Sequence, residues 1–239
     1  MLPFEPPHYG PGATLGGTIA CNLSGPRRAY AGAARDFVLG VRVVNGRGEA
    51  LTFGGEVMKN VAGYDVSRLM AGALGTLGVL LEVSLKVLPR PESELTLTRP
   101  GAPGEVLRDL HAWAGRPYPV SATCYDGESL QLRLSGAEGA VRAARAVIGG
   151  EPVPEGAAYW QRVREHGHGF FSAARPLWRL SLASDAGPGG PAGKQLWEWG
   201  GALRWLVSDA PGDQVRAFAE AHGGHAVAFR GGDRDAFFH

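Results

Sequence analysis

The sequence of 239 residues is nearly devoid of lysine, with three at positions 59, 86 and 194, and its formal net charge is +1. So even a balance gives no electrostatic footprint for nucleic acid or an acidic membrane surface, and nucleic acid is excluded as a partner. Cysteine is scarce as well. Cys21 and Cys124 cannot build a disulfide framework, nor a zinc site alone, and they read as two buried thiols in a reducing cytosol. No apolar run reaches the ~18 residues that a membrane span requires. The opening "MLPFEPPHYGPG" lacks the basic-then-apolar order of a signal peptide, and its prolines read as extended surface chain. There is no G-x-S-x-G and no Ser/His/Asp or Cys/His arrangement, which leaves a hydrolase without a nucleophile.

Glycine, by contrast, is abundant at 37 residues. The stretch "GATLGGTIACNLSGPRRAYAG", residues 12–32, carries five of them. Gly16 and Gly17 would let the backbone come within van der Waals contact of a ligand, since no Cβ intrudes. Backbone N–H groups in such a stretch can cradle an anion. The spacing fits neither the Rossmann fingerprint nor a Walker A loop. The same residues would serve equally as a glycine-rich turn with packing duties.

At 44% hydrophobic and 20% charged, the chain has material for a real core. Two composition regimes meet at "VLPRPESE", residues 87–94, which places a boundary between 1–90 and 91–239. In the first, a helix starts at Gly16–Asn22. Val38–Val44 and Leu51–Phe53 are strands around an Asn45–Gly48 turn. Asp65 heads a short helix closed by Gly72, and Val79–Leu88 is a strand whose face of 79, 81, 83, 85 and 87 is apolar. The second regime holds all six tryptophans. It reads as strand Leu95–Thr98, helix Gly104–Ala114, a hairpin of Val120–Tyr125 and Ser129–Leu134 around Asp126-Gly127, helix Ala137–Ile148 and strand Glu151–Val153. That order is a ferredoxin-like β-α-β-β-α-β unit. The pattern partly recurs in strands Trp178–Ala183 and Ala202–Val207, helix Asp213–His222 and strand His225–Phe229, with Ala186–Gly193 a flexible loop. The fold class is α+β: an antiparallel sheet backed by helices.

Four segments, "TLGGTIACNLSG", "RDFVLGVRVVNGRGE", "MKNVAGYDVSRLMAG" and "GTLGVLLEVSLKVLP", occur in this order with short spacers. Together they resemble the FAD-binding domain of the vanillyl-alcohol oxidase / p-cresol methylhydroxylase type. Within that group, "LSGPRR", "FGGEVMKNVAGYDVSRLMAG" and "WQRVREHGHGFF" resemble the FAD-binding subunits of bacterial glycolate-oxidising complexes. The resemblance implies that residues 1–90 are the second half of the FAD domain and 91–239 a substrate or oligomerisation cap. It implies FAD as cofactor, contacted by Leu15, Gly16, Gly17, Thr18, Asn22, Ser24, Gly25, Gly32, Lys59, Asn60, Gly63, Tyr64, Gly78 and Val79. It implies oxidation of glycolate or a similar 2-hydroxy acid by hydride transfer to flavin. The implied partners are a sister FAD-containing subunit and an iron–sulfur subunit, in the cytoplasm and peripheral to the inner membrane. Ala73 stands where the family has serine.

The family's FAD domain also has a preceding Gly-rich half, and Leu2–Gly12 already matches the linker that follows it. The expectation is therefore weak FAD binding by the isolated chain, with the uncovered face driving homodimerisation. A non-catalytic assembly subunit is the alternative function. For several residues a plainer role stands beside the implied one. Asp65 with Tyr64 reads equally as a helix N-cap, and Lys59 as surface charge. Arg179 and Arg204, beside Trp178 and Trp205, could hold a substrate carboxylate, or could belong to ordinary strands. His166 and His168 read as an exposed or capping pair, with no third ligand to make a metal site.

Overall fold

The structure, a computed structural model, describes residues 1–55 and 63–231. The chain divides into two units, Met1–Arg90 and Pro91–His239, and the fold is α+β in each.

Unit 1 is a three-stranded antiparallel sheet, order β2-β1-β3, from β1 (Val38–Val44), β2 (Ala50–Gly54) and β3 (Val79–Leu85). Asn45 closes the β1–β2 turn, its Oδ1 accepting from the N–H groups of Arg47 and Glu49. Helices α1 (Leu15–Cys21), α2 (Arg28–Ala31) and α3 (Val66–Leu69) are short. Thr14 caps α1 and Asp65 caps α3, each accepting a first-turn N–H. The core gathers Phe4, Ile19, Phe37, Val38, Val41, Val43 and Met70.

The strand at 79–88 departs from strict alternation. A register shift between Arg42–Glu82 and Val43–Leu80 leaves Leu81 unmatched, and a second lies between Val38 and Gly40. Such irregularities switch the side that faces the core. Leu80, Val83, Leu85 and Leu88 therefore pack on the core, whereas Val79, Leu81 and Val87 are exposed. The apolar face expected at 79, 81, 83, 85 and 87 is thus broken.

Unit 2 is an eight-stranded antiparallel sheet, order β11-β8-β10-β9-β5-β6-β4-β7. Its first half is β4 (Ser93–Pro100), α4 (Pro103–Ala114), β5 (Val120–Tyr125), β6 (Ser129–Gly136), α5 (Glu138–Ile148) and β7 (Glu151–Pro152). The order β7-β4-β6-β5 with two helical crossovers is the ferredoxin-like arrangement. After α6 (Gly156–Arg164) the second half runs β8 (Leu177–Ser181), β9 (Lys194–Glu198), β10 (Leu203–Val207), α7 (Gly212–Ala221) and β11 (His225–Arg230). Its order β11-β8-β10-β9 repeats the first. The loop containing Ala186–Gly193 occupies the chain position that α4 has in the first half. The halves join edge to edge through β5 and β9, at Cys124–Glu198 and Tyr125–Trp197.

Helices α4, α5 and α7 cover one sheet face, each through its own apolar cluster. On the other face lie α6 and a 3-10 turn at Gly169–Ser172, around Cys124, Tyr159, Trp160, Phe171 and Trp205. Polar groups under α6 are bonded: Trp160 Nε1 donates to Thr96 Oγ1 at 2.9 Å and Tyr159 Oη to Gln131 Oε1 at 3.1 Å. Burial pushes both the Cys124 thiol and the Tyr159 phenol well up, so both stay protonated. Cys124 is buried as expected; Cys21, at the last turn of a seven-residue helix, is exposed.

Candidate functional site

In unit 1 the end of α1 is a junction. The carbonyls of Ile19 and Ala20 accept from the N–H groups of Gly72 and Leu74. Asn22 takes the left-handed conformation, φ 51°, that ends α1, and its Oδ1 accepts from Arg35 N at 3.1 Å. Ser24 Oγ accepts from Ala34 N, and Gly25 N donates to Phe4 O. Gly32, φ 111°, closes α2. These bonds bring residues 19–25, 34–35 and 72–74 together, although they are far apart in sequence, and Gly16 lies against Leu80.

The residues singled out from the sequence therefore fall into two groups. Asn22, Ser24, Gly25 and Gly32 shape the junction through bonds of their own. Leu15, Gly17, Gly63, Tyr64 and Val79 are exposed, Tyr64 completely. Gly16 and Thr18 lie between these extremes, with Thr18 Oγ1 donating to Thr14 O. Gly78 passes so close to β1 that a Cβ would meet Val44 O at 2.6 Å, and its φ is +150°. Glycine there lets Val79 begin the strand with its side chain outward. Around Gly12, Gly55, Gly63 and Gly75 a Cβ would meet nothing within 4 Å. Of these, Gly75 follows directly on Leu74, which is exposed together with Leu15, Leu77 and Val79. Small residues next to apolar ones suit a large planar ring with a polyanionic tail, and the residues present fit FAD on that ground. Lys59 and Asn60 lie outside the described residues. Asp65 accepts from Arg68 N at 3.0 Å and pairs with its guanidinium, which makes it the N-cap of α3.

In unit 2 the two arginines part company. Arg179 lies opposite Trp205 in the β8–β10 register, on the α6 face, while Arg204 lies opposite Leu180, on the α7 face. Arg204 is 1% exposed and donates to the carbonyls of Ala186, Gly189 and Gly201, with Trp197 beneath it at 4.5 Å. Burial lowers its pKa to about 10. Its donors hold the 186–189 loop, which is a structural task. Arg179 is half-buried, over the Trp199 ring at 5.2 Å, and donates to Ser181 Oγ. Trp199 itself has φ 55°, followed by Gly200 and Gly201 at positive φ. A left-handed tryptophan is a costly conformation for a bulky residue. It is held by Gly200 N donating to Thr123 Oγ1 at 2.9 Å.

The histidine pair also divides. His168 Nδ1 accepts from Phe170 N and caps the 3-10 turn. His166 is not an exposed histidine: it stacks on Phe171 at 3.9 Å with Trp205 edge-on at 4.5 Å. Burial, followed by nearby Arg230, lowers its pKa to about 4, so it is neutral at pH 7. Among the described residues no cluster of three His, Cys, Asp or Glu could hold a metal ion. No helix among them is long and apolar enough to cross a membrane.

Residues 1–54, which contain α1, α2 and the first hairpin, match the FAD binding domain family. The chain is 53% identical over 233 residues to glycolate oxidase subunit GlcE of Escherichia coli, covering 98% of this chain and 66% of that protein. The chain is thus similar to a glycolate oxidase subunit over nearly all of its own length, and to the FAD binding domain family over residues 1–54. Further relatives match a shorter region. Glycolate oxidase subunit GlcD of Bacillus subtilis is 44% identical over 85 residues, 36% of this chain and 18% of its own length. D-lactate dehydrogenase of Anaerostipes hadrus is 42% identical over 88 residues, 37% and 18%. The chain thus spans just under two thirds of the GlcE relative and under a fifth of these two. A solved alkyldihydroxyacetonephosphate synthase shares the fold, with TM-score 0.54 and 18% identity over 68% of this chain and 40% of that one. FAD is the cofactor of the family.

Proposed function

We propose that this chain is the FAD-binding subunit of a glycolate-oxidising flavoprotein, working with a sister flavin-binding subunit and an iron–sulfur subunit. The reading rests on one observation above all. The segment that matches the FAD-binding family contributes α1 to a junction, and the apolar side chains of Leu15, Leu74, Leu77 and Val79 are exposed rather than buried in the unit's own core. The GlcE and GlcD relatives, both named as glycolate oxidase subunits, supply the substrate class.

In this reading Leu15, Gly16, Gly17, Thr18, Gly63, Tyr64, Gly78 and Val79 would hold the cofactor by backbone and apolar contact. Asn22, Ser24, Gly25 and Gly32 would fix the shape of that wall. FAD, when bound, supplies a two-electron acceptor for the hydrogen on C2 of a 2-hydroxy acid. Residues 91–239 act as the cap. Arg179, over Trp199, would hold the substrate carboxylate: a guanidinium matches a carboxylate with two parallel bonds, and the ring below restricts its swing.

The test is to reconstitute the chain with its partner subunits and measure retained flavin and glycolate-dependent dye reduction. Leu15→Asp and Tyr64→Ala alter exposed side chains, so the fold is expected to hold while flavin content falls. Arg179→Met is expected to raise KM for glycolate with flavin retained. Unchanged flavin content in both unit 1 variants would sink the cofactor assignment.

A further inference from the structure

In unit 2, Arg179 lies over an indole that is held in place from a distance. Trp199 follows β9, and the three consecutive residues Trp199, Gly200 and Gly201 have φ of 55°, 69° and 95°. Glycine takes such values freely, whereas a bulky side chain takes them only where its surroundings impose them. Gly200 N donates to Thr123 Oγ1 of β5 at 2.9 Å. Gly201 O accepts from Arg204 Nε at 3.3 Å. A Cβ on Gly201 would meet Leu107 Cδ2 at 2.7 Å, so α4 presses on the end of the turn. Ala202 O accepts from Leu182 N, one residue beyond the strand that carries Arg179.

Arg204 and Leu107 have other duties, in the 186–189 loop and in the α4 cluster. Thr123 reaches the turn at Gly200, the residue next to the indole, through a hydroxyl that an isosteric substitution removes. Thr123 is 1% exposed, so it acts through the turn and not on a ligand. Trp199, 7% exposed, packs with Leu203 and Trp205 in the α6 cluster, and the backbone of the turn decides where its ring sits in that packing. The Arg179 guanidinium carbon is 5.2 Å from the centre of this ring, and Nη1 donates to Ser181 Oγ at 3.3 Å. A ring against one face and an acceptor at one end give the planar fork a direction.

We propose that Thr123 is a positioning residue for the carboxylate site. Its hydroxyl keeps the Trp199–Gly201 turn left-handed, the turn places the indole, and the indole with Ser181 orients the Arg179 guanidinium. The effect on turnover rests on the proposed assignment of Arg179 to the substrate carboxylate; the effect on Arg179 itself does not. Loss of the hydroxyl takes this acceptor from Gly200 N–H, the turn relaxes toward ordinary φ, and the fork loses the ring on one face. Carboxylate binding then weakens while the reacting atoms are untouched, so KM rises and kcat holds.

The experiment uses the full chain with 15N-labelled arginine, and the same chain reconstituted with its partner subunits for kinetics. Arg179→Met identifies the Arg179 Nε–H resonance, which the Trp199 ring current displaces. Thr123→Val is expected to return that resonance to the ordinary arginine position and to raise KM for glycolate roughly tenfold, with kcat within about twofold. Thr123→Ser, which restores the acceptor, should keep both near the values of the unaltered chain. Should Thr123→Val fail to fold, Thr123→Cys, with its weak sulfur acceptor, takes its place. A resonance that stays in place in Thr123→Val, or that moves equally in Thr123→Ser, would overturn the role of Thr123. A resonance that moves as expected while Arg179→Met leaves KM unchanged would overturn the carboxylate assignment and leave the positioning of Arg179 by Thr123 standing.

Discussion

The two units treat apolar surface in opposite ways. Among the described residues, eleven of the twelve large hydrophobic side chains left exposed belong to unit 1, and unit 2 contributes Val147 alone. Smaller units bury proportionally less, but size does not explain such an imbalance, because unit 2 is the longer chain and carries every tryptophan. Unit 2 closes its core on both faces of one sheet, with helices on one side and α6 on the other. Unit 1 packs Phe4, Ile19 and the strand residues inward and leaves Leu69, Leu74, Leu77 and Val79 outside. A unit arranged like that is built to be covered, and exposed apolar patches mark ligand or protein contact. In the proposed function the cover is flavin.

The sharpest way to break this comparison is a pair of truncations. Trp205→Ala removes a 4% exposed ring packed on His166, Phe171 and Phe229, along with its bond to Glu198. It is expected to cost about 3–5 kcal/mol by urea denaturation. Leu77→Ala in unit 1 is expected to change stability by no more than about 0.5 kcal/mol. Equal costs would erase the distinction. Next, Arg204→Met deprives three carbonyls of their donor and is expected to cost about 2–3 kcal/mol. Limited proteolysis should then cut the 186–193 loop, and an uncut loop would mean that Arg204 does not hold it.

A smaller effect is expected from pH. His166 is neutral in the fold, with a pKa of about 4, against 6.5 for an ordinary histidine. The unfolded chain binds the proton more readily, so this residue's contribution is level above pH 6.5, falls between 6.5 and 4, and is level again below. His166→Asn, which tolerates the same φ of 55°, should flatten that part of the urea-midpoint profile. The mildest test leaves stability untouched. A thiol reagent should label Cys21 at once in the native protein and Cys124 only after denaturant is added.

Local signals in the sequence were legible where local chemistry decides structure. Asp126-Gly127 makes its hairpin, Asp65 caps its helix, and the β-α-β-β-α-β order of 93–152 follows from hydrophobic period and turn residues. Helix α6 was not legible: it has nine residues, starts at glycine and lacks a side-chain cap. Strand β9 was not either, being five residues that follow a run of glycine and proline. The β3 register depended on a bulge, which no alternation pattern shows. The site was legible as a set of segments rather than as a set of roles. Asn22 and Leu15 belong to the same motif, yet one braces the α1 junction and the other faces outward, and only the Asn22–Arg35 contact tells them apart. Arg179 and Arg204 likewise needed the Trp205–Arg179 register before they could be placed on opposite faces.

The seam in the eight-stranded sheet has a consequence for where the protein opens. The middle of a sheet is ordinarily its last part to exchange amide hydrogens. Here the middle is the β5–β9 junction, where the backbone ladder is two residue pairs long and side chains of both halves pack across it on each face. Within each half, β6 and β10 are paired along their length on both sides. Opening free energies should therefore peak twice, in β6 and in β10, with a dip at the geometric centre. Unit 2 would then exchange as two four-stranded leaves held together by packed side chains more than by a shared ladder.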